Sequence, residues 1–196
     1  MSHYFKNDPG LKSEESIYHV DVLGQTFRFY TDHGVFSKSH LDTGSRVLIE
    51  HLNIDDDAKT LLDVGAGIGV IGIILKKVHP SLDVTQVDIN HRALALNKKN
   101  AQLNNVETTI IESDLFSALK DNYDVIVSNP PIRAGKKVLY ALYQSAYKHL
   151  NTNGELWIVV RKDQGAKSTV DYLKTIYPQV SIIKRHKGFY VICANK

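Results

Sequence analysis

Residues 63–72, Asp63-Val64-Gly65-Ala66-Gly67-Ile68-Gly69-Val70-Ile71-Gly72, join a predicted strand to a predicted helix through four glycines. The strand is the short apolar run 60–64, and the helix is the apolar run 70–78, stopped by His79-Pro80. Gly67, Gly69 and Gly72 spell G-x-G-x-x-G in the strand–turn–helix setting that this motif needs. Glycines there let the backbone turn tightly and admit a ligand where a Cβ would clash. Asp88 ends the next predicted strand, nineteen positions after Gly69, with Ile89 beside it. A carboxylate at that place suits a ribose diol. Asp114 and Leu115, just past the third strand, are expected beside the same crevice, because open α/β sheets bind ligands at the carboxyl ends of their strands.

These residues imply a cofactor that contains a nucleoside. A dinucleotide brings a pyrophosphate that seeks a helix N-terminus free of nearby anions. Asp63 is an acid at the strand end directly before the glycines. It suits a ligand that carries an ammonium and a sulfonium, and S-adenosylmethionine carries both. The electrostatic expectation is therefore S-adenosylmethionine rather than NAD, held by the loop Asp63, Gly65, Ala66, Gly67 and Gly69.

Outward from the glycines the chain alternates. Strands are expected at 84–87, 108–111, 125–127 and 156–160, and helices at 92–103, 138–150 and 164–176. Such alternation predicts a parallel sheet covered by helices on both faces. Runs 180–185 and 189–194 have only three residues between them, so they should close the sheet as an antiparallel hairpin. Before the glycines, 17–23 and 26–30 form another expected hairpin around Gly24-Gln25, and an irregular stretch leads to a helix at 46–52. The reading is one Rossmann-like α/β domain with a seven-stranded mixed sheet. Its parts are a flexible lead-in (1–16), a hairpin and cap segment (17–58) and the cofactor-binding domain (59–196), the last two forming one globular unit. Trp157 should be core, and Tyr140, Tyr143 and Tyr147 should face the sheet or its rim.

Composition excludes several classes. Of 196 residues, 43% are hydrophobic and 23% charged, which is ordinary for a globular domain and rules out wholesale disorder. No apolar run approaches the ~20 residues of a membrane-spanning helix. The opening MSHYFKNDPGLKSEES is polar and has no signal-type apolar stretch, so a soluble cytoplasmic protein is expected. The single cysteine, Cys193, cannot form an internal disulfide, and the nine histidines show no paired ligand spacing, so no metal is expected. With 24 Lys and Arg against 21 Asp and Glu, any polyanion contact must come from local clusters. Three exist: Arg133 with Lys136 and Lys137, Arg161 with Lys162, and Lys184 with Arg185 and Lys187.

A second site is expected at Asn129-Pro130-Pro131-Ile132, after the fourth strand. The two prolines remove backbone donors and stiffen the loop, which then presents carbonyls. The Asn129 side-chain oxygen and the Pro130 carbonyl would accept the two N–H bonds of a planar amine or amide. That turns the nitrogen lone pair toward an electrophile and stabilises the positive charge developing on it.

The pair DVGAGIGVIG and NPPI resembles the class I S-adenosylmethionine-dependent methyltransferases that modify planar amino or amide nitrogens. The segment Gly34-Val35-Phe36-Ser37, with Leu41-Asp42-Thr43-Gly44-Ser45 after it, is similar to the ribosomal RNA guanine-N2 type, the small-subunit methyltransferase C group. That resemblance runs from about residue 17 to the C-terminus and includes Gly188-Phe189-Tyr190-Val191. It implies a guanine N2 in ribosomal RNA, free or in a ribosomal subunit, as methyl acceptor. Asp63, Gly65, Gly67 and Gly69 fall on the family's cofactor loop, Asp88 on its ribose acid, and Asp114 with Leu115 on its adenine edge. Asn129, Pro130 and Pro131 fall on its target-amine motif, and 36–45 on its cover over the pocket. Two departures stand out. Ile132 replaces an aromatic that stacks on the target base in many relatives, leaving Phe36 or aliphatic contact for that task. Well-known members also carry an additional N-terminal domain of similar size. Arg133, Lys136 and Lys137 would meet phosphates. The alternatives are the same chemistry on a protein glutamine, adenine N6 or a small molecule, or a reductase or binding module without methyl transfer.

Overall fold

The structure is a computed structural model, and it describes residues 12–36, 40–131 and 135–196. The hairpin β1 (Ser16–Val22) and β2 (Gln25–Thr31) comes first, followed by α1 (Thr43–His51). The alternating part is β3 (Thr60–Val64), α2 (Val70–Val78), β4 (Asp83–Asp88), α3 (His91–Leu103), β5 (Thr109–Glu112), β6 (Tyr123–Ser128), α4 (Lys136–His149), β7 (Leu150–Arg161), α5 (Ala166–Leu173), β8 (Gln179–His186) and β9 (Phe189–Asn195). The seven-stranded sheet has the order β5-β4-β3-β6-β7-β9-β8. Its first five strands are parallel, and β9 runs antiparallel between β7 and β8. The expected α/β fold with its mixed sheet is the observed one. The order reverses at β3, whose carboxyl end feeds the glycine loop. This is the crevice where such sheets take ligands.

Two apolar layers sandwich the sheet. One contains Phe27, Phe29, Leu48, Ile73 and Ile74 from the hairpin, α1 and α2, against Val125, Trp157 and Val191 of the sheet. The other contains Leu142, Tyr143 and Leu173 from α4 and α5, against Ile126, Ile158 and Ile192. Trp157 and Tyr143 are buried, as expected. Tyr140 stacks on Tyr172, with ring centroids 3.6 Å apart.

Several boundaries differ from the sequence reading for local reasons. Helix α1 starts at Thr43, not Arg46, because the Asp42 carboxylate accepts from the Gly44 and Ser45 N–H groups and caps it. Strand β7 starts at Leu150, six residues early, because Leu150 pairs with Tyr123 across a register shift and the strand resumes at Glu155 opposite Val125. Helix α5 is shorter at both ends: Gly165 enters it in the left-handed region. Of the expected lead-in 1–16, residues 1–11 lie outside the described residues, and the part that follows is bonded to the domain. Ser13 Oγ and the Glu14 N–H donate to Asp32, and Arg92 Nη1 donates to the same carboxylate and to the Lys12 carbonyl. Burial of Asp32 is outweighed by these donors and by Arg92, which lower its pKa.

The hairpin is fastened to the domain by side-chain amides that take the place of a neighbouring strand. Asn100 of α3 accepts from the Tyr30 N–H (2.6 Å) and donates to the Tyr30 and Ile68 carbonyls (3.0 and 2.9 Å). One turn on, Asn104 accepts from the Arg28 N–H (3.1 Å) and donates to its carbonyl (2.7 Å). Spacing of four on a helix meets spacing of two on a strand, so both amides face the outer edge of β2. Removing either leaves unpaired backbone groups, at about 1–3 kcal/mol per buried group. Denaturant unfolding of Asn100→Ala should therefore show a loss of roughly 2 kcal/mol or more, and Asn100→Asp, which keeps only the acceptor, should recover little of it.

Candidate functional site

One cavity of about 610 Å³ opens over the carboxyl ends of β3, β4 and β6 and reaches the end of β7. That size is in the range of small-molecule sites. Its floor is the glycine loop. Gly65 and Gly67 have φ of +73° and +57°, and a Cβ built on either meets nothing within 4 Å. These two glycines hold the backbone open toward the cavity. Gly69 and Gly72 do another job. A Cβ on Gly69 would run into the Asn97 side chain, and one on Gly72 would lie 2.5 Å from Gln86 Nε2. They let α2 pack closely on α3 and β4, and Gly69 does not reach the cavity wall, contrary to its expected place in the cofactor loop.

Asp63 is the larger correction. Its carboxylate lies under the loop, 1% exposed, where Oδ2 accepts from the Gly72 N–H at 3.0 Å. It does not line the cavity, and burial pushes its pKa up to about 7. It is thus no fixed anion facing a cationic ligand. The carboxylates that do line the cavity are Asp42, Asp88 and Asp114, against Arg161 as the lining cation among the described residues. The anionic character attributed to Asp63 comes instead from these three.

Asp88 ends β4 with both oxygens engaged: Oδ2 accepts from the Gly67 N–H (2.7 Å) and Oδ1 from the Asn90 N–H (2.8 Å). Burial raises its pKa against those bonds. The Ile89 N–H also bonds this carboxylate, and the lone pair left over can take a hydroxyl donor. Ala66, Ile89, Asp114 and Leu115 line the same half of the cavity. Above it, Asn90 Nδ2 donates to the Gly34 carbonyl (3.1 Å), anchoring the segment that leads to Phe36, which is 44% exposed on the wall.

Asn129, Pro130 and Pro131 line the other half. Asn129 Nδ2 donates to both Asp42 oxygens (3.2 and 3.3 Å) and to Ser45 Oγ (3.0 Å). An amide whose nitrogen is held this way can offer only its oxygen to a ligand. No interaction among the described residues occupies that oxygen. The sequence reading missed this pinning, as well as the wall residues Arg161, Gln164 and Phe189. A signal for the pinning was present in Asp42-Thr43-Gly44-Ser45, where an Asp three residues before a Ser opens a helix. Lys136 and Lys137 are exposed at the start of α4, off the cavity wall. Ile132 and Arg133 lie outside the described residues. Among the described residues, no three His, Cys, Asp or Glu converge as metal ligands, and no helix is long and apolar enough to cross a membrane.

A switch-point cavity over open glycines, with a ribose-type acid and a pinned Asn-Pro-Pro amide, defines a class I methyltransferase site. Residues 26–193 match the methyltransferase small domain family, and the chain belongs to that family of S-adenosylmethionine-dependent methyltransferases. It is 39% identical to the uncharacterized protein YbxB of Bacillus subtilis over 99% of this chain and 98% of that one. It is 38% identical to ribosomal RNA small subunit methyltransferase C of Haemophilus influenzae over 87% of this chain and 49% of that protein. The chain thus spans about half the length of that relative. In fold it superposes on the Thermus thermophilus 16S rRNA N2 G1207 methyltransferase, solved with AdoMet and guanosine, with a TM-score of 0.83. The sequence identity there is 23%, and the match covers 97% of this chain and 53% of that one.

The residues present fit the cofactor. Gly65 and Gly67 leave the cavity floor open, and Asp88 and Asp114 put on its wall two carboxylates that would accept from ribose hydroxyls and from the adenine amine. Gly67→Ala both strains φ and fills the cradle. Calorimetric titration should show S-adenosylmethionine affinity down at least about tenfold, while the unfolding free energy falls by no more than a strained turn costs, of order 1–3 kcal/mol. Asp63 yields a separate test. Its pKa is 3.8 when unfolded and about 7 when folded, so the folded state binds more protons between those values. Its contribution to stability is therefore highest below about pH 4 and is lost as pH rises to about 7. Comparing urea unfolding at pH 5 and pH 8, Asp63→Asn should be flatter than the parent protein.

Proposed function

We propose that the chain transfers a methyl group from S-adenosylmethionine to the exocyclic N2 of a guanine in small-subunit ribosomal RNA. The observation that carries this is the Asn129 amide, held by its nitrogen to Asp42 and Ser45 so that its oxygen alone is available to a target N–H. When bound, S-adenosylmethionine supplies an electrophilic methyl on a sulfonium, with a neutral thioether as leaving group. The protein's task is then to position the acceptor nitrogen. Asn129 Oδ1 and the Pro130 carbonyl accept its two N–H bonds, which directs the lone pair out of the ring's π system. The same oxygens stabilise the positive charge that grows on nitrogen, an effect strongest in a dry site, and the methylated nitrogen then releases one of its N–H protons to water. Pro130 and Pro131 keep the carbonyls rigid and remove competing donors. Asp42 is a positioning residue in this scheme.

Three things support ribosomal RNA as the acceptor. The methyltransferase C relatives are named for it, and the T. thermophilus neighbour is a 16S rRNA N2 G1207 methyltransferase. The third is exposed positive charge on segments that flank the lining residues Val138, Arg161 and Phe189. Lys136 and Lys137 are exposed at the start of α4, and Lys162, Arg185 and Lys187 are exposed near the end of β7 and at the β8–β9 turn. Lys162 is tied to that turn by its N–H bond to the Gly188 carbonyl (2.8 Å). A paired guanine must be flipped out, or offered in a loop, to reach such a cavity. A ribosomal substrate would place the protein in the cytoplasm.

Labelled methyl from S-adenosylmethionine, offered to RNA and protein from cells lacking this enzyme, should enter RNA and digest to N2-methylguanosine. Label in protein instead, or in N6-methyladenosine, would overturn the acceptor. Asn129→Ala should lower kcat about a hundredfold or more while cofactor affinity stays within about threefold, as for other losses of one charge-stabilising group. Parallel loss of both would reduce Asn129 to a support of the fold.

A further inference from the structure

The target motif Asn129-Pro130-Pro131-Ile132 contains no aromatic ring, yet a flipped base needs a flat apolar face to lie on. Two aromatic side chains line the cavity among the described residues, Phe36 and Phe189. The sheet decides between them. Trp157, Val159 and Arg161 of β7 lie opposite Cys193, Val191 and Phe189 of β9, so one row of side chains climbs the α1 face of the sheet. Its lower members are buried in the core beneath α1. At the top, where β7 ends, the row runs out into the cavity as Arg161 and Phe189. There the Arg161 guanidinium lies 5.9 Å from the Phe189 ring centroid.

Gly44 sets how close this ring comes to the target amide. A Cβ on Gly44 would lie 3.0 Å from Phe189 Cε1 and 3.4 Å from Asn129 Nδ2, so ring edge and amide both border one point. Phe36 instead follows Gly34, which is tied to Asn90 beside Asp88, on the ribose half. We propose that Phe189, with Arg161 over it, forms the subsite that receives the planar ring of the methyl acceptor, in the role an aromatic at position 132 would have had. It rests on the reading that the acceptor is a nucleobase. Base–aromatic stacking is tolerant of sequence, so the subsite holds any purine and leaves the choice of amine to Asn129 and Pro130.

Phe189→Trp provides a direct probe. The chain has one tryptophan, Trp157, which is 3% exposed, so fluorescence that responds to an added ring reports position 189. In protein saturated with S-adenosylhomocysteine, guanosine should quench Phe189→Trp. Phe189→Leu keeps an apolar side chain and removes the ring face. It should weaken guanosine binding about tenfold or more, the scale of one lost stacking contact, with S-adenosylhomocysteine affinity unchanged. Phe189→Tyr should restore binding. Three outcomes overturn the subsite: guanosine binding by Phe189→Leu equal to the parent, quenching of Phe36→Trp but not Phe189→Trp, or no binding of any purine nucleoside by the parent. The RNA assignment stands or falls separately. If purine nucleosides bind through Phe189 while RNA takes no label, the subsite holds and the ribosomal reading fails. If RNA is labelled and Phe189→Leu keeps the parent's KM for RNA, the reverse is true.

Discussion

The carboxylate of Asp42 joins two things that the rest of the molecule depends on. It caps α1 through the Gly44 and Ser45 N–H groups, and it accepts from Asn129 Nδ2 at the end of β6. An ionised carboxylate has lone pairs for all of these donors, which a neutral cap would not. The first helix is thereby locked to the loop that bears the target amide. Because α1 also packs over β7 and β9, the same lock holds its first turn against Phe189. Cap segment and sheet are thus tied to each other at the place where chemistry is expected, which is what orientation of a weak nucleophile demands.

The glycine loop shows a division of labour that a motif alone conceals. Two of its glycines face the cavity and two face neighbouring elements, and only the first pair is open to a ligand. Beneath them Asp63 accepts from the Gly72 N–H in a setting dry enough to push its pKa up to about 7. It braces the start of α2 and leaves the cavity's negative charge to Asp42, Asp88 and Asp114. The expected cofactor thus stands although the residue first invoked for it does not touch the cavity.

Three asparagines satisfy backbone groups that have no neighbouring strand. Asn100 and Asn104 close the outer edge of β2, and Asn90 caps α3 while holding Gly34. An amide both donates and accepts, so one side chain can serve both backbone groups of a residue as a partner strand would. Covering that edge also removes a site for unwanted strand pairing.

Periodicity and glycine placement in the sequence determined the order of strands and helices, the mixed sheet and the crevice after β3, because those patterns are local and repeat at fixed spacing. Asn129-Pro130-Pro131 was legible for a similar reason: its meaning lies in adjacent residues. The tertiary structure alone decided the rest. Leu150 belongs to β7 only because Tyr123 lies opposite it, and Asn104 reads as a helix end until Arg28 is beside it. Asp63 and Asp88 look alike as strand-ending acids, yet one is turned under the loop and the other into the cavity. Phe189 and Arg161 lie twenty-eight residues apart in sequence and side by side across two antiparallel strands. Burial, hydrogen-bond partners and face are properties of pairs brought together by folding, and no single segment carries them.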